Sequence, residues 1–122
     1  MIRIYTYRKC STCQRATQWL RAREIPFEEV PIRETPPAIE ELQEMLRAYK
    51  GHRKALCNTS GKDYRAPGVK ERLAEAEDEP FLKMLAENGN LIKRPFLRDG
   101  ALSMVGFKES EWEEKLPSPG RG

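Results

Sequence analysis

Two cysteines separated by two residues, Cys10 and Cys13, lie where an apolar-aromatic segment gives way to helix-forming residues. The first N–H groups of a helix lack partners and carry partial positive charge, so a thiolate placed there is stabilised. Arg8, Lys9 and Arg15 add positive charge nearby. One helical turn on, Cys13 can attack a mixed disulfide formed at Cys10 and release a reduced partner. The spacing therefore predicts a redox pair.

Two other interpretations of these cysteines stay open on the sequence alone. Free cysteines are often buried as small apolar residues, and this is also the expected state of the third cysteine, Cys57. Judged by residue type alone, the three cysteines and the single histidine, His52, could instead form a structural zinc site. We expect no metal, because Cys10 and Cys13 lie at a helix entry rather than in the turn of a zinc knuckle.

Composition restricts the class of protein. The chain has 122 residues, 34 % charged and 39 % hydrophobic, with a net charge of +3. This profile is typical of one globular domain, and no apolar run approaches a membrane span. Basic and acidic residues are interleaved, which gives no support to direct nucleic-acid binding. An odd number of cysteines and the lack of a signal-peptide pattern predict a cytoplasmic protein without a disulfide framework.

Hydrophobic periodicity gives the order β-α-β, several helices, then β-β-α. Strands are predicted at 2–7, 25–32, 90–97 and after a turn within 99–107. Helices are predicted at 11–23, 34–50, 69–79, 80–89 and 108–116. Thr35 is the expected cap of the second helix, with Pro36 in its first position. Asp99 and Gly100 between two apolar runs predict a hairpin.

These elements predict an α/β fold, a thioredoxin-like mixed sheet of four strands with a helical insertion at about 36–88. The first βαβ unit is expected to be parallel and right-handed. We expect a single domain over residues 1–116 and a disordered tail at 117–122.

Five segments carry a resemblance to a known family: "YTYRKCSTCQRA", "PPAIEEL", "CNTSGKDYR", "LIKRPFL" and "VGFKESEWEE". Together they span nearly the whole chain except the tail. The chain resembles the arsenate reductase/Spx-like family of thioredoxin-fold proteins, and most of all its YusI- and YffB-type members. The resemblance implies a thioredoxin fold and an activity that depends on the cysteines.

The resemblance also implies roles for individual residues. Cys10 would attack arsenate or accept an electron partner, and Cys13 would resolve the resulting disulfide. Arg94 would bind an oxyanion, and Pro95, after a cis bond, would shape the loop facing Cys10. Residues expected to bind the anion or shape the cleft are Thr12, Asn58 and Lys108. From the residues alone, Arg94 could equally form a surface salt bridge, and Asn58 could simply close a turn.

Two positions depart from the arsenate reductase pattern. Thr6 stands where those enzymes carry a histidine four residues before the cysteine, and Asn58 stands where they carry an arginine. Fewer cations hold an oxyanion less tightly. The residues therefore do not favour arsenate reduction.

The predicted function is that of a thiol–disulfide oxidoreductase acting on a small oxyanion or a protein disulfide. Electrons would come from glutathione, glutaredoxin or thioredoxin, with no metal or organic cofactor. The alternative is a Spx-like redox-sensing regulator that binds the RNA polymerase alpha subunit. Gly51 is near the position of the glycine that matters for that contact in Spx, but it could also simply end the helix after Lys50. Genuine arsenate reduction and a zinc-stabilised structural role are less favoured.

Overall fold

The computed structural model describes residues 1–116. The predicted disordered tail at 117–122 lies outside them. The strands are β1 (Ile2–Thr6), β2 (Phe27–Pro31), β3 (Phe96–Asp99) and β4 (Leu102–Val105). The α-helices are α1 (Ser11–Ala22), α2 (Ile39–Ala48), α3 (Lys62–Arg65), α4 (Val69–Glu75), α5 (Asp78–Glu87) and α6 (Glu109–Lys115). Short 3-10 helices occupy Arg53–Leu56 and Gly89–Leu91. Within residues 1–116 no helix has the length and apolarity needed to cross a bilayer.

The four strands form one sheet in the order β2-β1-β3-β4. Strands β1 and β2 are parallel, with Ile2 opposite Phe27, and the other two pairings are antiparallel. A parallel pair requires a crossover, which α1 provides. The predicted α/β fold with a mixed four-stranded sheet is therefore confirmed.

Both faces of the sheet are covered by apolar side chains. On one face, α1 and α6 contribute to a core that includes Ile4, Leu20, Leu97, Met104 and Trp112. On the other face, the helices between β2 and β3 form a second core that includes Tyr5, Leu42, Met45, Phe81 and Phe96. Burying each large apolar side chain contributes about 1.5–3 kcal/mol. The sheet is thus the rigid support from which the loops at its ends extend.

Helix α2 begins later than predicted. It starts at Ile39, not at Pro36, and Thr35 does not cap it. The reason is local, because Pro36 precedes Pro37 and a residue before proline is kept out of the helical region. Ala38 is the N-cap instead, and its backbone N–H donates to the Glu41 carboxylate at 3.0 Å.

The segment before β3 also differs from the prediction. The sequence predicts a strand over 90–97, but a 3-10 helix occupies Gly89–Leu91 and β3 begins only at Phe96, after Pro95. Proline lacks the N–H that a central strand needs, which explains the late start. The predicted hairpin is confirmed, since Gly100 adopts the left-handed conformation (φ +57°) and Asp99 pairs with Leu102.

Arg53 joins the helices of the insertion. Its guanidinium donates to the carbonyls of Leu73 and Ala76 at the end of α4 and pairs with Asp78 at 2.8 Å. It also lies over the Phe81 ring at 4.9 Å. The last carbonyls of a helix lack partners within it, so this one side chain satisfies an end of α4 and fixes the start of α5.

Candidate functional site

Cys10 occupies the N-cap of α1, as the sequence predicted. Its backbone is extended (φ −89°, ψ 115°), and its Sγ accepts the N–H of Cys13 at 3.4 Å. The first turn of α1 contains no acidic residue. The half-buried sulfur therefore lies at the helix N-terminus, where unpaired N–H groups carry partial positive charge.

Cys13 has a different environment. It is 2 % exposed, and both cysteines are free thiols. Burial is the largest cause that raises the pKa of the Cys13 thiol to about 12, with a further contribution from Cys10. A backbone hydrogen bond from Tyr7 and the charge of Arg94 act in the opposite direction. At neutral pH Cys13 therefore keeps its proton, whereas Cys10 lies at the helix end within reach of the surface.

A cleft of about 760 Å³ opens beside Cys10. Its walls include five of the predicted site residues: Cys10, Thr12, Asn58, Arg94 and Lys108. The other two, Cys13 and Pro95, are buried and are not among the lining residues. The fold thus brings together residues from α1, the insertion and the segments next to β3 and β4.

The cleft is positively charged. It is lined by four cations, Arg15, Lys93, Arg94 and Lys108, against one carboxylate, Glu111. Within residues 1–116 none of the four forms an ion pair. A concave surface with unpaired cations attracts anions. Lys93 is the cation added to Arg15, Arg94 and Lys108, which the sequence already indicates near the site.

Lys93 is the cleft cation that the sequence reasoning missed. Its side chain crosses Gly106, where an added Cβ would lie 2.9 Å from the lysine Cε. Gly106 has φ +72° and donates its N–H to the Pro95 carbonyl at 2.8 Å. The one available signal was the glycine after β4, since glycine permits both the left-handed backbone and a close approach.

Arg94 has an unsatisfied donor within the described part of the chain. Its Nη2 reaches the Asn90 carbonyl at 3.5 Å and its guanidinium lies over the Tyr7 ring at 5.2 Å, but the buried Nη1 has no partner. A buried unpaired donor costs about 1–3 kcal/mol. This geometry indicates an arginine with a donor available for a bound acceptor, rather than an arginine in a surface salt bridge. The Arg94–Pro95 bond is cis, in agreement with the resemblance.

Asn58 both closes a turn and lines the cleft. Its carbonyl accepts the Gly61 N–H at 2.9 Å, and its side-chain amide donates to the Asn90 carbonyl at 3.3 Å. The same Asn90 carbonyl receives Arg94. One backbone oxygen therefore joins the insertion to the segment before β3 and fixes the spacing of two cleft residues.

Asp63 stabilises the loop that supplies the Asn90 carbonyl. Its carboxylate accepts from the amides of Asn88 at 2.9 Å and Asn90 at 3.3 Å. The hydrogen bond from Asn88 is the largest cause that holds the pKa of Asp63 below its usual value. The loop that supplies the Asn90 carbonyl is thereby held by side chains as well as by its backbone.

Thr6 does not line the cleft. Its buried hydroxyl donates to the Glu29 carboxylate at 2.6 Å, and both residues line a separate pocket. The position where arsenate reductases carry a histidine is therefore occupied here by a side chain that faces a neighbouring strand.

The zinc candidates are not gathered into a site. Cys57 is buried and its thiol donates to the Arg53 carbonyl at 3.4 Å, and burial raises its pKa to about 11. Among residues 1–116 no three His, Cys, Asp or Glu side chains form a group that could hold a metal ion. In this structure Cys57 packs as a small apolar residue, the role expected for it.

The chain is similar to several known proteins. The chain is 41 % identical over 110 residues to the protein YusI of Bacillus subtilis, covering 90 % of this chain and 93 % of that one. It is 32 % identical to the global transcriptional regulator Spx of Enterococcus faecalis, covering 96 % and 87 %. A solved structure described as a possible arsenate reductase of Streptococcus mutans matches with a TM-score of 0.84 at 32 % identity, covering 93 % and 98 %. The ArsC family model matches residues 5–115. The chain therefore belongs to the ArsC family.

Proposed function

We propose that the chain is a thiol–disulfide oxidoreductase with Cys10 as nucleophile and Cys13 as resolving thiol. The observation that carries the proposal is the asymmetry of the pair. Cys10 Sγ accepts a helix N–H at the edge of a cationic cleft, while Cys13 is buried beside it with its proton retained. The half-buried Cys10 thiol lines the cleft in which a substrate can bind, whereas Cys13 does not line that cleft.

In the proposed reaction, the Cys10 thiolate attacks one sulfur of a substrate disulfide and expels the other half as a thiolate. The mixed disulfide at Cys10 is then attacked by the Cys13 thiolate, which releases the remaining half. A Cys10–Cys13 disulfide forms, and the substrate has gained two electrons and two protons. An external thiol returns the pair to the reduced state; glutathione, glutaredoxin and thioredoxin are the proposed donors.

The charge of the cleft supports an anionic substrate. Arg94 offers an unpaired N–H, and Arg15, Lys93 and Lys108 add positive charge around Cys10. Small oxyanions and disulfides flanked by carboxylates both fit this description. Because arsenate is a small oxyanion, it should also be tested as a substrate, although Thr6 and Asn58 depart from the arsenate reductase pattern.

The test is trapping of the mixed disulfide. Cys13→Ser should accumulate a covalent adduct at Cys10 with a disulfide substrate, detected by intact-mass spectrometry. Cys10→Ser should form no adduct and show no reductase activity. The matched control is Cys57→Ser, which should turn over like the wild type. Full activity in Cys10→Ser would refute the proposal.

A second candidate is a regulator in the manner of Spx. It is favoured by relatives named global transcriptional regulator Spx, which align over 96 % of this chain. Gly51, after α2, also has open space around it, with φ +81° and nothing within 4 Å of an added Cβ. The proposed partner is the C-terminal domain of the RNA polymerase alpha subunit. Absence of binding to that domain in both redox states would exclude this role.

Two further expectations belong to the proposal. Three free thiols suit a reducing compartment, so we propose a cytoplasmic location. We also propose that residues 1–116 form one folding unit, since the cleft takes residues from the insertion and from both flanking parts.

A further inference from the structure

Cys13 lines a second pocket, separate from the cleft beside Cys10. This Cys13 pocket has a volume of about 530 Å³ and lies between β1, α1 and β2. Its walls include Thr6, Cys13, Arg21 and Glu29. Glu29 is the single carboxylate among its described lining residues. The buried thiol thus has its own opening, and that opening contains a group able to take a proton.

The proposed resolving step requires such a group. A thiol attacks a disulfide as its thiolate, so Cys13 must lose its proton before it can act. Burial is the largest cause that raises the pKa of the Cys13 thiol, and it persists when Cys10 carries a mixed disulfide, so little Cys13 thiolate forms unaided at neutral pH. Glu111, the carboxylate of the cleft, does not share a pocket with Cys13.

Glu29 is held in position by its neighbours. Thr6, 4 % exposed, donates its hydroxyl to Glu29 Oε2 at 2.6 Å. Arg21 Nη2 lies 3.9 Å from Oε1. Exposed glutamates usually sample many rotamers, and a short hydrogen bond to a buried hydroxyl limits this freedom. The other ionisable groups that face the thiol from the surrounding elements are Arg8 and Tyr7 in the same pocket, and Cys10 and Arg94.

We propose that Glu29 is the proton acceptor for Cys13 in the resolving step, with Thr6 as the residue that positions it. The inference rests on the proposed dithiol function. Water in the Cys13 pocket carries the proton from Cys13 Sγ to the Glu29 carboxylate. The Cys13 thiolate then attacks Cys10 Sγ, the mixed disulfide breaks, and the expelled thiolate leaves with its electron pair. Glu29 afterwards returns the proton to solvent.

The test follows both thiols with Ellman's reagent in a Cys57→Ala background. Attack by Cys10 releases one coloured thiolate in a first phase, and attack by Cys13 on the adduct releases a second. Glu29→Gln retains an oxygen that can accept from Thr6 and should fold normally. It should slow the second phase by about tenfold to a hundredfold, the lower range of a general base, and leave the first phase unchanged. Glu28→Gln is the matched control, since Glu28 lies next along β2 and pairs with Arg3.

A pH series separates proton transfer from a structural effect. In Glu29→Gln the second phase should rise about tenfold per pH unit through neutrality, because hydroxide must replace the carboxylate, while the wild type rises less steeply. Unchanged second-phase rates, equal slowing of both phases, or equal slowing in Glu28→Gln would each overturn the inference. A wild-type protein without any second phase would instead refute the dithiol function itself.

Discussion

Arg94 and Arg53 allow a direct test of which arginine serves function and which serves stability. Arg53→Met removes an ion pair with Asp78 at 2.8 Å and hydrogen bonds to helix-end carbonyls. Charge-assisted hydrogen bonds contribute about 1.5–3 kcal/mol each, and partial exposure reduces that. We expect Arg53→Met to lower the free energy of unfolding by about 3 kcal/mol.

Arg94→Met should behave in the opposite way. The hydrogen bond it loses, at 3.5 Å, is at the limit of useful geometry, and the lost contact with Tyr7 is worth about 0.5–1 kcal/mol. Against this, the substitution removes a buried unpaired N–H that costs about 1–3 kcal/mol. The net change should lie between zero and about 2 kcal/mol in favour of the folded state.

Two assays on the same variants separate an effect on stability from an effect on the reaction of Cys10. Urea denaturation can be followed by the fluorescence of the buried pair Trp19 and Trp112. In parallel, the reaction of Cys10 with an anionic disulfide should slow about tenfold or more in Arg94→Met, since one nearby charge is worth about 1–4 kcal/mol in partly screened surroundings. A neutral disulfide should be affected much less. Loss of more than about 1 kcal/mol of stability in Arg94→Met would refute the reasoning.

Three other predictions follow from single contacts. Gly106→Ala should cost about 1–2 kcal/mol for its left-handed backbone and, by displacing Lys93, weaken phosphate binding measured by calorimetry; unchanged affinity would contradict the contact. Cys13 should resist iodoacetamide at pH 7 in the reduced protein and react as pH rises toward about 12, as read by peptide mass spectrometry; rapid labelling at pH 7 would contradict its burial. The lowered pKa of Asp63, due mainly to Asn88, contributes stability above pH about 4 that is lost as pH falls through the folded-state value. Asp63→Asn should therefore destabilise at pH 7 and match the wild type at pH about 2 in chemical denaturation, and a constant difference would argue against the linkage.

Features set by neighbouring residues were predictable from the sequence. Cys10 at the start of α1 and the hairpin at Gly100 both follow from residues next to each other in the chain. The error at Thr35 has a local cause too, because the effect of Pro37 on Pro36 outweighs a favourable cap residue. Local reasoning succeeds where the deciding contact spans a few residues.

The rest of the site depends on contacts between distant segments. The acceptor shared by Asn58 and Arg94 joins positions 32 residues apart, and the bond from Thr6 to Glu29 spans 23. No periodic pattern encodes such pairings, since they result from how the insertion and β2 pack on the sheet. The cationic cleft was therefore only partly foreseeable, and the Cys13 pocket not at all.

The two outer strands of the sheet have a consequence for solubility at high concentration. An exposed strand edge can pair with another molecule and start aggregation. At one edge, β2 carries Glu28, Glu29 and Pro31, which repel or interrupt an added strand. At the other, the β4 N–H of Val105 is already occupied by the Tyr49 hydroxyl at 3.0 Å. Both edges therefore carry features that disfavour pairing with the sheet of a second copy.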